Sequence, residues 1–191
     1  LLKGAAVMSE SRIISQCAPT LAGIKTGSLF PHPYDSKEQV YKDIREINRR
    51  LIPKGLCLIP LRFTEKNVLL YLYRPAWLRR DLSDETACEV LREMGYTRSD
   101  CGSCLAQLMR RMQQADSEFP HEVGLFLSYP PEDVKGFIDN EAANYKYIGL
   151  WKVYGDEEGA KRTFARYKKC TELYCKLWQS GSSLEQLAVA I

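Results

Sequence analysis

The sequence predicts an α+β fold, and three observations carry that prediction. Apolar residues recur at helical spacing in several separate segments, for example Val40, Ile44, Ile47 and Leu51. Two short runs rich in apolar and aromatic residues, GLCLIPLR (55–62) and NVLLYLYR (67–74), flank the polar turn TEK, which suits an antiparallel hairpin. Residues 144–154 read as another strand, because its two faces, Ile148, Leu150, Lys152 and Tyr154 on one and Gly149, Trp151 and Val153 on the other, are both largely apolar. A strand apolar on both faces belongs inside a sheet. The expected architecture is a single domain over 1–191, with roughly four strands in a mainly antiparallel or mixed sheet wrapped by five to seven helices.

In chain order, Ser9 to Phe30 mixes a short helical stretch with CAPTLAGIKTGSLF, where Pro19 suits the first turn of a helix. Gly23 and Gly27 flank Lys25 and let the backbone turn there. The loop PHPYDS follows, and Ser36 with Gln39 has the spacing of a capping box before the Val40–Leu51 stripe. Pro53 and Gly55 end that helix. Pro60 places the first strand of the hairpin at an edge or on a bulge. Ser83 is suited to cap a helix that presents Ala87, Val90, Leu91 and Met94, and Ser99 or Asp100 the next, with Leu105, Leu108, Met109 and Met112. Phe119 to Ile138 reads as a strand, a turn at Pro130-Pro131 and a helix with Glu132 and Asp133 in its first turn, where acids complement the macrodipole. Asp156 opens the longest helix, and Ser183 with Gln186 a short final one.

Composition narrows the function. A chain of 191 residues buries a core without disulfides or metal, and 45% hydrophobic with 27% charged residues is ordinary for a globular protein. A net charge of +3 is too small to point to nucleic acid. No apolar run approaches the roughly 18 residues that span a bilayer. LLKGAAVM lacks the features of a signal peptide, and Met8 is available as a native start with residues 1–7 upstream of it. Seven scattered cysteines are an odd number and suit a reducing cytoplasm. There is no P-loop, GxGxxG, GxSxG or HExxH, which removes most nucleotide, hydrolase and metalloprotease readings.

Three segments, CAPTLAGIKTGSLF (17–30), FPHEVGLFLSYPPEDVKGFI (119–138) and GLWKVYGDEEGAKRTFARYKKCT (149–171), together carry a likeness across nearly the whole chain. On them the sequence resembles a family of uncharacterised bacterial proteins classed as a domain of unknown function. The resemblance implies a small cytoplasmic protein and brings no activity, cofactor or ligand with it. The stretch around Cys101 and Cys104 lies outside these segments.

Three constellations could carry chemistry. His121 beside Glu122 pairs an imidazole with a carboxylate, the groups of acid–base catalysis, although neighbours on a strand point to opposite faces. Lys25 and Lys152 are lone cations in apolar company, held either by a carboxylate such as Glu122 or by an anionic ligand, with Tyr129 and Tyr154 as hydroxyl donors. Cys101 and Cys104 form a CxxC at a helix start, open to thiol redox or metal chemistry or to a plain capping role, but no second CxxC completes a zinc site. The leading expectation is a cytoplasmic binding protein or enzyme for a small anionic ligand, using Lys25, His121, Glu122 and Lys152 with Tyr129 and Tyr154. The alternatives are a protein-interaction or regulatory module without catalysis, and a thiol role at Cys101 and Cys104. The cofactor is left open, and no metal is assigned.

Overall fold

A computed structural model describes residues 8–97, 100–114 and 119–191. The proposed upstream segment 1–7 and the candidate cap Ser99 lie outside the described residues. The chain divides into two compact units, residues 1–75 with 170–191, and residues 76–169.

The first unit begins with α1 (Glu10–Leu21), which buries Ile13, Ile14, Cys17 and Leu21. Pro19 sits in its last turn, not the first as expected from the sequence, and the chain turns at Gly23 with φ 69°. Strand β1 (Gly27–Pro33) then pairs with β3 (Asn67–Tyr73), which also pairs with β2 (Cys57–Phe63). All pairs are antiparallel and the order is β1-β3-β2. The register shifts between Pro60 and Arg62, so the proline falls on an edge strand at an irregularity, where its missing N–H costs no ladder bond. The opposite edge, β1, was not foreseen, since two prolines and a histidine within GSLFPHP conceal the alternation.

Helix α2 (Lys37–Leu51) is capped by Ser36, whose hydroxyl accepts from the Gln39 N–H at 3.3 Å, and it buries Val40, Ile44, Ile47 and Leu51. These side chains pack with those of α1, with Phe30, Leu58, Val68, Leu70 and Leu72 from the sheet, and with Leu184 and Leu187 of the last helix. Full burial of each such residue contributes about 1.5–3 kcal/mol. Asn48 of α2 donates to the Leu58 carbonyl at 2.9 Å and accepts its N–H at 2.8 Å, which occupies part of the β2 edge. At the end of β3, buried Arg74 donates to the carbonyls of Thr20, Leu21, Lys54 and Val189 at 2.8–3.3 Å.

The second unit is mainly helical: α3 (Pro75–Asp81, whose first residue closes the first unit), α4 (Glu85–Glu93), α5 (Cys101–Gln113), α6 (Val123–Phe126) and α7 (Pro131–Asp139). Asp84 and Asp100 cap α4 and α5, accepting from Ala87 N and Ser103 N; Ser83 and the thiols do not cap them. A two-stranded antiparallel ribbon follows, β4 (Tyr147–Ile148) with β5 (Lys152–Val153). Then comes α8 (Glu157–Gln179), whose Gly159 N–H bonds Asp156, and its last ten residues return to the first unit. The final helix, α9 (Leu184–Leu187), carries the expected Ser183–Gln186 capping box.

The fold is α+β as expected, but its strands form a three-stranded sheet and a separate ribbon, not one four-stranded sheet. The apolar run VGLFL (123–127) caused part of the difference. It is one helical turn buried on all sides, and a run this short has no period that separates strand from helix. Residues 144–154 form a hairpin rather than one strand. Its first half is exposed, and only Trp151 and Val153 are buried. No helix among the described residues is long and apolar enough to cross a membrane.

Candidate functional site

The β4–β5 ribbon is too short to hold itself in place, and its support comes from α7. Asp133, at 2% exposure, directs its carboxylate to three donors on the ribbon: Trp151 Nε1 at 2.7 Å, Tyr154 N at 2.7 Å and Gly155 N at 2.8 Å. A helix-dipole role had been expected for this acid; burial and three N–H donors give it a tertiary one. Gly136, one turn further along α7, lets the Tyr154 ring lie against the helix, since a Cβ there would stand 2.5 Å from Tyr154 Cγ. Tyr129 stacks on Trp151 with ring centroids 4.6 Å apart, and Phe164 of α8 meets the same indole edge-on at 4.4 Å. Tyr129 therefore belongs to the support of the ribbon, and burial pushes its hydroxyl pKa up.

Lys152 is carried by this supported ribbon, between buried Trp151 and Val153. Its ammonium donates to the Ala142 carbonyl at 2.7 Å and lies over two rings, 4.7 Å from the centroid of Tyr145 and 5.7 Å from that of Phe137. The His121 ring rests on the same Phe137, 4.9 Å between centroids. Phe137 thus brings two of the expected site residues together. No carboxylate among the described residues pairs with Lys152, and one of its three N–H groups is used by Ala142. The Tyr154 hydroxyl is buried and has no hydrogen-bond partner. Its pKa is raised, by burial first and then by Tyr145 and Asp133.

The loop under the ammonium is strained. Glu141, Ala142 and Asn144 have φ of 48°, 63° and 57°, left-handed values that cost a non-glycine residue about 1 kcal/mol or more each. Backbone bonds from Ala142 N to Phe137 O (2.9 Å) and from Ala143 N to Asn140 O (2.8 Å) hold it, together with Lys152.

The remaining expected residues are engaged elsewhere. Glu122, 1% exposed, accepts from the Tyr96 hydroxyl at 3.0 Å and pairs with Arg111 at 2.7 Å. Arg111 and Gln107 also donate to the carbonyls of Met94 and Gly95, so this group ties α5 to the turn after α4. Burial, then the Glu122 charge, drives the Tyr96 pKa up. Lys25 belongs to the first unit, half-buried near Cys17; burial brings its pKa down to about 8, partly opposed by Cys17. Burial raises the pKa of both Cys101 and Cys104. Among the described residues, no three His, Cys, Asp or Glu side chains are grouped to hold a metal ion.

Phe137 and Tyr145 went unnoticed in the sequence, as did His32. The two rings read as ordinary core or strand positions, and only the hairpin turn places them beside Lys152. His32 sits on β1 opposite Val68, 4% exposed, with Nδ1 lacking a partner. It was read as part of a loop.

With the geometry in place, comparison with known proteins adds one result. The family described as "Protein of unknown function (DUF3793)" matches residues 13–188. The chain belongs to this family. The matched span contains Arg74, Asp133 and the ribbon it supports, and every expected site residue. Among curated proteins and solved structures no match was found.

Proposed function

We propose that the unit formed by residues 76–169 binds a small anion at Lys152. The supporting observation is a half-buried ammonium on a fixed ribbon, flanked by two aromatic rings and lacking a carboxylate partner among the described residues. Charges removed from water are normally paired, so an external carboxylate or phosphate is the natural complement. His121, whose ring rests on Phe137, and Tyr154, two residues along from Lys152, complete the residues assigned to the site. Glu122 and Tyr129 hold the surrounding structure. Lys25 belongs to the first unit and takes no part in the proposed site.

The test is an NMR titration with acetate and with inorganic phosphate on parent protein, Lys152→Met and His121→Ala. Saturable shifts at Tyr145 and Lys152 are expected in the parent and not in K152M, with the melting temperatures of both variants within a few degrees. Absence of saturable shifts in the parent, or identical shifts in K152M, overturns the reading.

A further inference from the structure

The face that carries Lys152 is also the most apolar exposed part of the ribbon. Ile148 is paired directly across from Lys152, and directly opposed residues of an antiparallel pair share a face. Ile148, and Leu150 in the turn that joins the two strands, are each 56% exposed. The other cross-strand pair, Tyr147 with Val153, faces the opposite way: Val153 is fully buried and the Tyr147 ring stacks with Phe164. Water-facing aliphatic side chains on a rigid ribbon, beside an ammonium with spare donors, form a two-part surface with a cationic end and a greasy track.

Resting on the anion site proposed above, we infer that its ligand is an aliphatic carboxylate, the head group on Lys152 and the chain along Ile148 and Leu150. A phosphate or a short acid satisfies the ammonium and leaves the track bare. A neutral alkane covers the track and leaves the charge uncompensated. An unbranched aliphatic acid meets both. Lys146, the other lysine of the hairpin, is turned back onto the Gly155 carbonyl at 2.9 Å, so Lys152 is the cation available to the head group.

The experiment is a calorimetric or NMR titration with acetate, hexanoate and decanoate, the last below its micelle concentration, with decanol as the neutral control. A fully buried methylene is worth about fourfold in affinity, and one covered on a single side about twofold. Decanoate is therefore expected to bind at least tenfold more tightly than acetate and than decanol. Exposed-site variant I148S/L150S should flatten the series while leaving acetate binding at the parent value. A flat series in the parent, with acetate still bound and lost in K152M, overturns the aliphatic ligand and leaves the anion site standing. Failure of acetate itself overturns both. Decanol binding as tightly as decanoate, or a dimer of the ligand-free chain in sedimentation that I148S/L150S abolishes, also overturns the inference, the latter by assigning the face to a second copy.

Discussion

Replacing Asp133 with alanine is the most direct perturbation of the second unit. The carboxylate accepts three N–H groups from the ribbon at 2.7–2.8 Å, and the residue is 2% exposed. Leaving a buried donor unsatisfied costs about 1–3 kcal/mol, so three orphaned donors set an upper range of about 3–9 kcal/mol. Entry of water and movement of the short ribbon reduce that, and a loss of about 3–5 kcal/mol is expected. Against total stabilities of about 5–15 kcal/mol, that is a large fraction. Trp151 is both a bonding partner and a reporter. In a W77F/W178F background it is the sole tryptophan, and its fluorescence follows urea unfolding at the ribbon itself. Asp133→Asn gives a second arm: it keeps one oxygen for the backbone donors but turns an NH2 toward the Trp151 N–H, so an intermediate loss of about 2 kcal/mol is expected. A D133A unfolding free energy within about 1 kcal/mol of the parent would refute the account of how the ribbon is held. Equal losses in D133A and D133N would show that charge, rather than the donor count, matters.

Three further outcomes follow from the same reasoning. Burial lowers the His32 pKa, Arg12 lowers it further and Asp43 partly opposes them. Below about pH 6.5 the unfolded chain therefore binds a proton that the folded chain resists, and stability falls with falling pH; urea midpoints at pH 7.5 and 5 should drop more in the parent than in His32→Gln, and equal drops would sink the assignment. Arg74→Lys keeps the charge but not the planar fork that reaches four carbonyls, so a loss of about 2 kcal/mol is expected in denaturant unfolding, and a loss under 0.5 kcal/mol contradicts it. Burial, with Cys101, Asp100 and Cys88 nearby, pushes Cys104 up to about 11, so only about one thiol in ten thousand is ionised at pH 7. Labelling of Cys104 itself, read by peptide mass spectrometry, should be at least ~100-fold slower in the native protein than in the urea-unfolded chain; rapid labelling there, or a Cys101–Cys104 disulfide forming in a glutathione buffer, reopens the redox alternative.

What the sequence revealed depended on how local the deciding physics was. Ser36, Ser183 and the stripe Val40, Ile44, Ile47 and Leu51 act within one helix, and they were legible. The hairpin with its irregular edge at Pro60 was legible too, because proline's missing donor restricts where it can sit. Strand β1 was hidden by its prolines, and VGLFL (123–127) by brevity. For the site, Lys152, His121 and Tyr154 could be picked out as chemically unusual, but their surroundings could not. Glu122 found Arg111 and Tyr96, contacts set by the packing of α5 against the turn after α4. Asp133 resembled any first-turn acid until the ribbon folded over it. Tyr145 faces Lys152 only because 144–154 doubles back, and two apolar faces in that segment argued for a single buried strand instead.

The confinement of Lys152 bears on how strongly so small a site can bind. An exposed lysine that must be ordered to meet a ligand loses up to about 2 kcal/mol of side-chain entropy, roughly a 30-fold loss in affinity. Here the stem already lies in the ribbon between two buried neighbours, and the ammonium is fixed by Ala142 O and two rings. Most of that ordering accompanies folding. The contacts responsible trace back to Asp133 and Gly136 on one face region of α7, so the helix that supports the ribbon also prepares its cation. The strained turn at 141–144 fits the same logic, because the Ala142 carbonyl reaches the ammonium from a backbone conformation that alanine seldom adopts. A purely structural lysine could have been held by an unstrained acceptor or a carboxylate. On the proposed reading, that strain is retained to position an ammonium that has no counter-ion among the described residues.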